Sequence, residues 1–217
     1  MTLLVLGASG QCGRWVARLA SERGHEVTAF VRPTAPYDPP QGVRVVRGDV
    51  LNVVETKHAA NGHDAILSCL GPQRVTPANP FSPLKSPPHF CDQSTRVIVE
   101  AAHAAGIRRV GAISAAGVGD SAPLLPGLMR WLLRHSTIGV MYADLAAMEQ
   151  VLASSGLEWF AVRPVTLVNA PPSTRAREVP RFRMTSTIGR ADVARYMLDM
   201  LGDTPPSRSR VPFIGWK

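Results

Sequence analysis

Gly7-Ala8-Ser9-Gly10-Gln11-Cys12-Gly13 is the stretch of this chain whose spacing most directly predicts chemistry. It lies between the apolar run Thr2–Leu6 and an amphipathic segment carrying Trp15, Val16, Leu19 and Ala20. Glycines in such a turn let the backbone bend sharply and approach a pyrophosphate with no Cβ in the way. The helix that follows aims unpaired N–H groups and its positive dipole end at the same phosphates. The pattern is G-x-x-G-x-x-G rather than G-x-G-x-x-G, and its context between strand and helix is what gives it weight. Gly7, Ser9, Gly10, Gln11, Cys12 and Gly13 are the expected contacts on the phosphate side of a dinucleotide.

Two further positions belong to the same chemistry. The second strand ends at Val31-Arg32, where a carboxylate would bond the two ribose hydroxyls of NAD and an arginine suits a 2′-phosphate. A guanidinium offers several donors to phosphate oxygens and brings no repelling charge. Arg14, at the helix start, adds a second positive charge. The expected cofactor is therefore NADP(H). Gly48-Asp49-Val50 follows the third strand, where Asp49 either accepts a bond from the adenine amino group or caps the next helix.

The elements that must position these residues alternate along the chain. Strands are expected at Thr2–Leu6, Glu26–Val31, Val43–Arg47, Ala65–Leu70, Arg109–Ser114, Trp159–Val162 and Val211–Ile214. Helices are expected at Arg14–Arg23, Val53–Ala60, Ser94–Ala105, Tyr142–Ser154 and Arg190–Leu201, several of them closed by glycine. That alternation predicts a single α/β domain over residues 1–217, a Rossmann-type doubly wound parallel sheet with helices on both faces. Two segments carry no periodicity: 72–89, rich in proline, and 170–189, which contains Arg175, Arg177, Arg181 and Arg183. Each follows a strand, so both should emerge at the carboxyl edge of the sheet, where ligands bind, as substrate loops.

Composition narrows the classes. Apolar residues make up 45% and charged residues 18% of 217, an ordinary globular balance. No stretch approaches the roughly 18 apolar residues of a membrane span, and no basic segment precedes the first apolar run as in a signal peptide. Cys12, Cys69 and Cys91 lack metal-ligand spacing, so neither a metal site nor a disulfide framework is expected, and a cytoplasmic location follows. The net charge of +8 is carried mostly by arginine, without basic runs or interleaved aromatics, which argues against nucleic acid as a partner. The expected partner is a small-molecule acceptor, anionic if the loop arginines hold it. Neither a membrane nor nucleic acid is expected, and the chain reads as a monomer or small homo-oligomer.

Several segments together carry a resemblance over nearly the whole chain. They are G-A-S-G-Q-C-G (7–13), V-T-A-F-V-R (27–32), G-D-V (48–50), L-S-C-L-G (67–71), I-S-A-A-G-V-G-D-S (113–121), M-E-Q-V-L-A-S-S-G-L-E-W-F-A-V-R-P (148–164) and I-G-R-A-D-V-A (188–194). The chain resembles the atypical short-chain dehydrogenase/reductase superfamily, in the branch of biliverdin IX-beta reductase (flavin reductase) and NmrA-like proteins. The resemblance implies that Cys69, Leu70 and Gly71 line the adenine-ribose side. It places Ser114 near the nicotinamide ribose, as the catalytic candidate, and Pro164, Val165 and Thr166 beside the nicotinamide.

One departure matters. Short-chain dehydrogenases use a tyrosine with a lysine four residues on, and here Tyr142 is followed at that spacing by Ala146. Counted back from Glu149, the tyrosine and lysine positions fall on Met141 and Leu145, so Tyr142 is expected to be out of register and structural. An unaided phenol near pKa 10 is a poor proton donor at neutral pH. The expected activity is NADPH-dependent hydride transfer to a flavin, a quinone or a similar conjugated acceptor. A non-catalytic NADP(H) sensor of the NmrA-like type is the alternative.

Overall fold

Four buried residues in a row, Leu3 to Leu6, place Thr2–Leu6 (β1) at the centre of the sheet. Leu3 and Val5 face one apolar cluster and Leu4 and Leu6 the other, as the two-residue period of a strand requires. A strand buried on both sides in this way belongs to a parallel sheet. The computed structural model describes residues 1–181, 183, 185–202 and 211–216. In it β1 pairs in parallel with Glu26–Val31 (β2) and with Ala65–Ser68 (β4), and β2 pairs with Val43–Arg47 (β3). On the other side Arg109–Ile113 (β5) and Glu158–Pro164 (β6) continue the sheet. Phe213–Trp216 (β10) lies between β6 and the antiparallel edge strand Ala176–Glu178 (β8), giving the order β3-β2-β1-β4-β5-β6-β10-β8. A separate parallel pair joins Thr166–Val168 (β7) to Thr187–Gly189 (β9).

Helices cover both faces. Gln11–Glu22 (α1) and Arg190–Gly202 (α6) pack together on the Leu3–Val5 side, burying Val16, Ala17, Ala20, Val193, Ala194 and Met197. Val53–Ala60 (α2), Phe90–Ala104 (α3) and Thr137–Ser154 (α5) cover the other face. This is the doubly wound Rossmann arrangement, with the reversal of strand order between β1 and β4.

Several boundaries differ from expectation, each for a physical reason. The first helix begins at Gln11 rather than Arg14, because Gly10 in extended conformation serves as its N-cap. The third begins at Phe90 rather than Ser94, because the carboxylate of Asp144, far along the chain, accepts from the amides of Cys91 and Asp92, both at 2.9 Å. Ser136 caps α5, which begins at Thr137, five residues before the expected start. Gly127–His135 (α4) was not expected at all, and none of its residues is fully buried. The segment 170–189 is not bare loop: it contains β8 and β9, and Phe182 and Met184 within it lie outside the described residues.

Candidate functional site

The carboxyl ends of β1 and β4 meet the start of α1. Gly7 turns with φ +72°, and its carbonyl accepts from the Gly10 amide at 2.9 Å. A Cβ on Gly13 would lie 2.3 Å from the Gly7 oxygen, so only glycine fits where the helix crosses the turn. Gly10 offers no side chain to cap α1, and the first turn carries no acid. An uncapped helix start without negative charge fits a pyrophosphate. Cys69 and Leu70 stand against Gly7, whose Cβ would fall 3.1 Å from the Cys69 oxygen. Burial raises the Cys12 thiol to about 11 and the Cys69 thiol well above its usual value, so both are neutral packing groups at physiological pH.

At the adenosine end Arg32 is exposed just beyond β2. Arg14 is held: its Nε donates to the Ser9 carbonyl at 3.0 Å and its Nη2 to the Pro36 carbonyl at 2.9 Å, with the guanidinium over the Tyr37 ring. It stitches the glycine turn to the segment following β2. Arg47, not singled out by sequence, donates to the carbonyls of Pro33 and Ala35 at 3.0 and 3.1 Å and so shapes the turn that presents Arg32. Asp49 does not cap α2. Asn52 does, accepting from the amides of Val54 and Glu55, while Asp49 accepts from the Leu51 amide at 3.0 Å and is exposed. Val50 is buried in the cluster that contains Phe30 and Ile66.

Beyond β5 and β6 lies a cavity of about 240 Å³. Ser114, Pro164, Val165 and Thr166 form one wall, Leu125 and Met129 another, and Tyr142 and Arg183 complete it. The Ser114 amide donates to the Val162 carbonyl at 2.8 Å, which fixes the residue across the two strands. Its hydroxyl is buried and has no hydrogen-bond partner among the described residues. Such a group ordinarily finds a partner, and here it is left available to a molecule in the cavity.

Tyr142 stands on the cavity wall with Ser114, its hydroxyl donating to the Ala116 carbonyl at 3.3 Å, while Leu145 is buried in the core. Burial pushes the phenol up, and only the charge of Arg74, from the 72–89 segment, opposes that. Ala146 leaves no cation on the helix itself. Of the four arginines at 170–189, Arg183 alone lines the cavity. Arg175 lies over the Trp216 ring and Arg177 donates to the carbonyls of Thr174 and Ala176, so neither turns to the site, and Arg181 is exposed outside the lining. His89 caps α3 in a left-handed conformation and is not in the cavity.

Residues 7–204 match the model of the NAD(P)H-binding family. The chain belongs to that family. It is 32% identical over 83 residues to the isoflavone reductase homolog IRL of Zea mays, a match covering 34% of this chain, and it spans only 27% of that protein's length. Among solved structures it is similar to ChuY, an anaerobilin reductase from Escherichia coli O157:H7, with a TM-score of 0.78, 22% identity and 99% and 96% of the two chains covered. It is also similar to a short-chain dehydrogenase/reductase from Veillonella parvula in complex with NADP, with a TM-score of 0.75, 20% identity and 99% and 94% coverage. At these identities the structural likeness establishes the fold.

Two polar clusters hold the cavity of this NAD(P)H-binding chain in place. Arg163, 3% exposed, forms a two-point pair with Glu149 on α5 and reaches Asp120 at 2.6 Å, on the turn Gly119–Leu124 that leads to Leu125. Removing one member of such a buried pair typically costs about 3–5 kcal/mol. Asp192, 1% exposed, accepts from the Ser173 amide at 2.7 Å, the Ser173 hydroxyl at 2.6 Å and the Trp216 indole at 2.6 Å, and so ties the 170–189 segment to α6 and β10. The motifs that carry the resemblance contain both Glu149 and Asp192, but sequence alone names a partner for neither.

Proposed function

We propose that the chain is an NADPH-dependent reductase that transfers hydride to a planar conjugated acceptor, a flavin, a quinone or a tetrapyrrole, seated in the cavity beyond β5 and β6. The observation that carries this reading is the cavity itself: apolar walls from Leu125, Pro126 and Met129, lined also by Ser114 with its buried, unpartnered hydroxyl. It stands at the carboxyl edge of the sheet, where the dinucleotide of an open α/β fold is bound. Membership of the NAD(P)H-binding family and the likeness to an anaerobilin reductase support it.

The dinucleotide, when bound, supplies the hydride. The glycine turn and the start of α1 hold its pyrophosphate, and Arg32 takes the 2′-phosphate. Ser114 donates to the ligand it faces. Pro164, Val165 and Thr166 would hold the nicotinamide, and Leu125, Met129 and Tyr142 would exclude water and hold the acceptor. Tyr142 keeps its proton at neutral pH, since burial raises its pKa. A conjugated acceptor delocalises the charge it receives and takes its proton from solvent. Arg183 is the side chain placed to meet a phosphate or carboxylate on the acceptor.

The test is NADPH oxidation by the purified chain across a panel of FMN, riboflavin, quinones and a linear tetrapyrrole. Turnover with at least one is expected. Tyr142→Phe should stay within about fivefold of wild type, whereas loss of a general acid costs about 10²–10⁴. Arg183→Gln should raise KM for FMN and not for riboflavin. Tight NADPH binding with no oxidation by any acceptor would overturn the reading in favour of an NADP(H) sensor, which the absence of a cation at position 146 also favours.

A further inference from the structure

Helix α4 is built as a surface element rather than a core one. None of its residues is fully buried, and Leu128 and Trp131 are 61% and 49% exposed. Leu124 just before it, Val140 just after it and Phe81 in the 72–89 segment are 49%, 48% and 53% exposed. These are not scattered: the Phe81 and Trp131 rings meet edge to face at 6.4 Å, and Trp131 stacks on His135 at 5.0 Å. Thr137 donates to the carbonyls of Pro80 and Ser82, both at 2.8 Å, which fixes the two segments side by side. A contiguous exposed apolar patch marks a contact surface.

Charge says which contact. Residues 72–88 and 121–143, the two segments that form this face, contain no aspartate or glutamate and carry Arg74, Lys85, Arg130 and Arg134. Arg130 and Arg134 are exposed on α4 and flank Trp131 in a shallow groove with His135. A second copy is a poor occupant, because two-fold self-pairing of the patch would set these arginines against their own equivalents. We propose that this face docks on an anionic phospholipid surface, with α4 lying in the interface plane. Leucine and tryptophan would enter the acyl boundary, and the arginines would keep their heads among the phosphates. A helix that lies on a membrane needs none of the length of one that spans it, so the lack of a spanning helix among the described residues does not bear on this.

The placement has a consequence for the site, which rests on the reductase reading. Leu125, Pro126 and Met129 line the cavity while Leu124 and Leu128 face outward, so the same short segment forms the cavity wall and the docking surface. A docked chain would open its acceptor cavity toward lipid, where an apolar quinone dissolves.

The experiment measures docking without turnover. The full chain is sedimented with vesicles of phosphatidylglycerol and phosphatidylcholine, or of phosphatidylcholine alone, at low and high salt. Binding is expected to the anionic vesicles only and to fall with salt, with tryptophan emission shifted to the blue and quenched by brominated acyl chains. Arg130→Gln/Arg134→Gln should weaken binding about thirtyfold, near fivefold per arginine. Leu124→Ser/Leu128→Ser should abolish the emission shift. None of these residues lines the cavity, so NADPH affinity reports that the variants fold. If a variant misfolds, the salt dependence and lipid quenching of the wild type decide. No binding of the wild type to anionic vesicles at low salt overturns the proposal, as does a concentration-dependent dimer that the same substitutions abolish. Vesicle binding by a chain that oxidises no NADPH would leave docking standing and remove the reductase reading alone.

Discussion

Arg32 illustrates how much one side chain can decide. It stands exposed at a strand end whose turn is braced by Arg47 and whose neighbour, Arg14, is already bonded to two carbonyls. The charge free to grip a ligand there is therefore that of Arg32, with Arg14 adding field rather than contact. A charge-assisted phosphate contact is worth about 1.5–3 kcal/mol, so Arg32→Ala should weaken NADPH binding by roughly ten- to a hundredfold and leave NADH within about twofold. Titration of both cofactors against the variant checks this, and equal losses for the two would remove the assignment. At this scale the glycine turn was readable because its constraint is local: Gly13 is required by the Gly7 carbonyl, six residues away. Tyr142 reaches the cavity wall, which counting along the helix could not show, because packing decides which way a helical side chain faces. Arg183 could not be told from Arg175 and Arg177 in sequence, since only the pairing of β8 with β10 turns those two aside.

Among the elements, those set by nearest neighbours were legible and those set by distant ones were not. β1, β2, β3 and α2 have the expected ends, because alternation and a helical period are written within each segment. The start of α3 depends on Asp144 of α5, and α4 is a nine-residue helix that buries none of its residues fully. The strands β8 and β9 are three residues each, too short to show a pattern. What anchors that region is Asp192, buried on α6, which accepts from the Ser173 amide and hydroxyl and the Trp216 indole and, at 3.5 Å, from Arg195. Asp192→Ala leaves those donors without a partner, each at a cost of about 1–3 kcal/mol. The expected result is a lower Tm and faster proteolytic cleavage within 170–189, with NADPH affinity held within about threefold. Unchanged cleavage would show that the segment is secured by other contacts.

For the whole molecule, the edge of the sheet opposite the site governs the response to acid. His63 is buried there, its Nε2 2.9 Å from the Thr28 hydroxyl, which also receives two donors from Arg44. Its Nδ1 faces the Ala60 carbonyl, so the neutral ring donates there and accepts from Thr28. Burial, with the nearby Arg44 charge in support, lowers its pKa below the ordinary 6.5, and burial and the N-terminal charge do the same for His25. The folded state thus holds fewer protons than the unfolded one just below pH 6.5. The stability these groups contribute is complete above that pH and is lost as pH falls through the lowered values. Tm measured from pH 8 to 5 should fall below 6.5, and His63→Gln should flatten that fall. An identical slope in the variant would place the sensitivity elsewhere.

The position of β10 between β6 and β8 has a temporal meaning as well. During synthesis the strands β1 to β5 have every sheet partner made once β6 has left the ribosome, while β6 keeps one edge open for β10. β8 emerges with none: its hydrogen-bonding edge is complementary to Phe213–Trp216, which is translated later. The sheet around the glycine turn can therefore take shape on the nascent chain, while α6, which packs on α1, and the wall bearing Arg183 wait for residues still to be added. A newborn chain would frame its glycine turn before it frames the cavity wall that Arg183 completes.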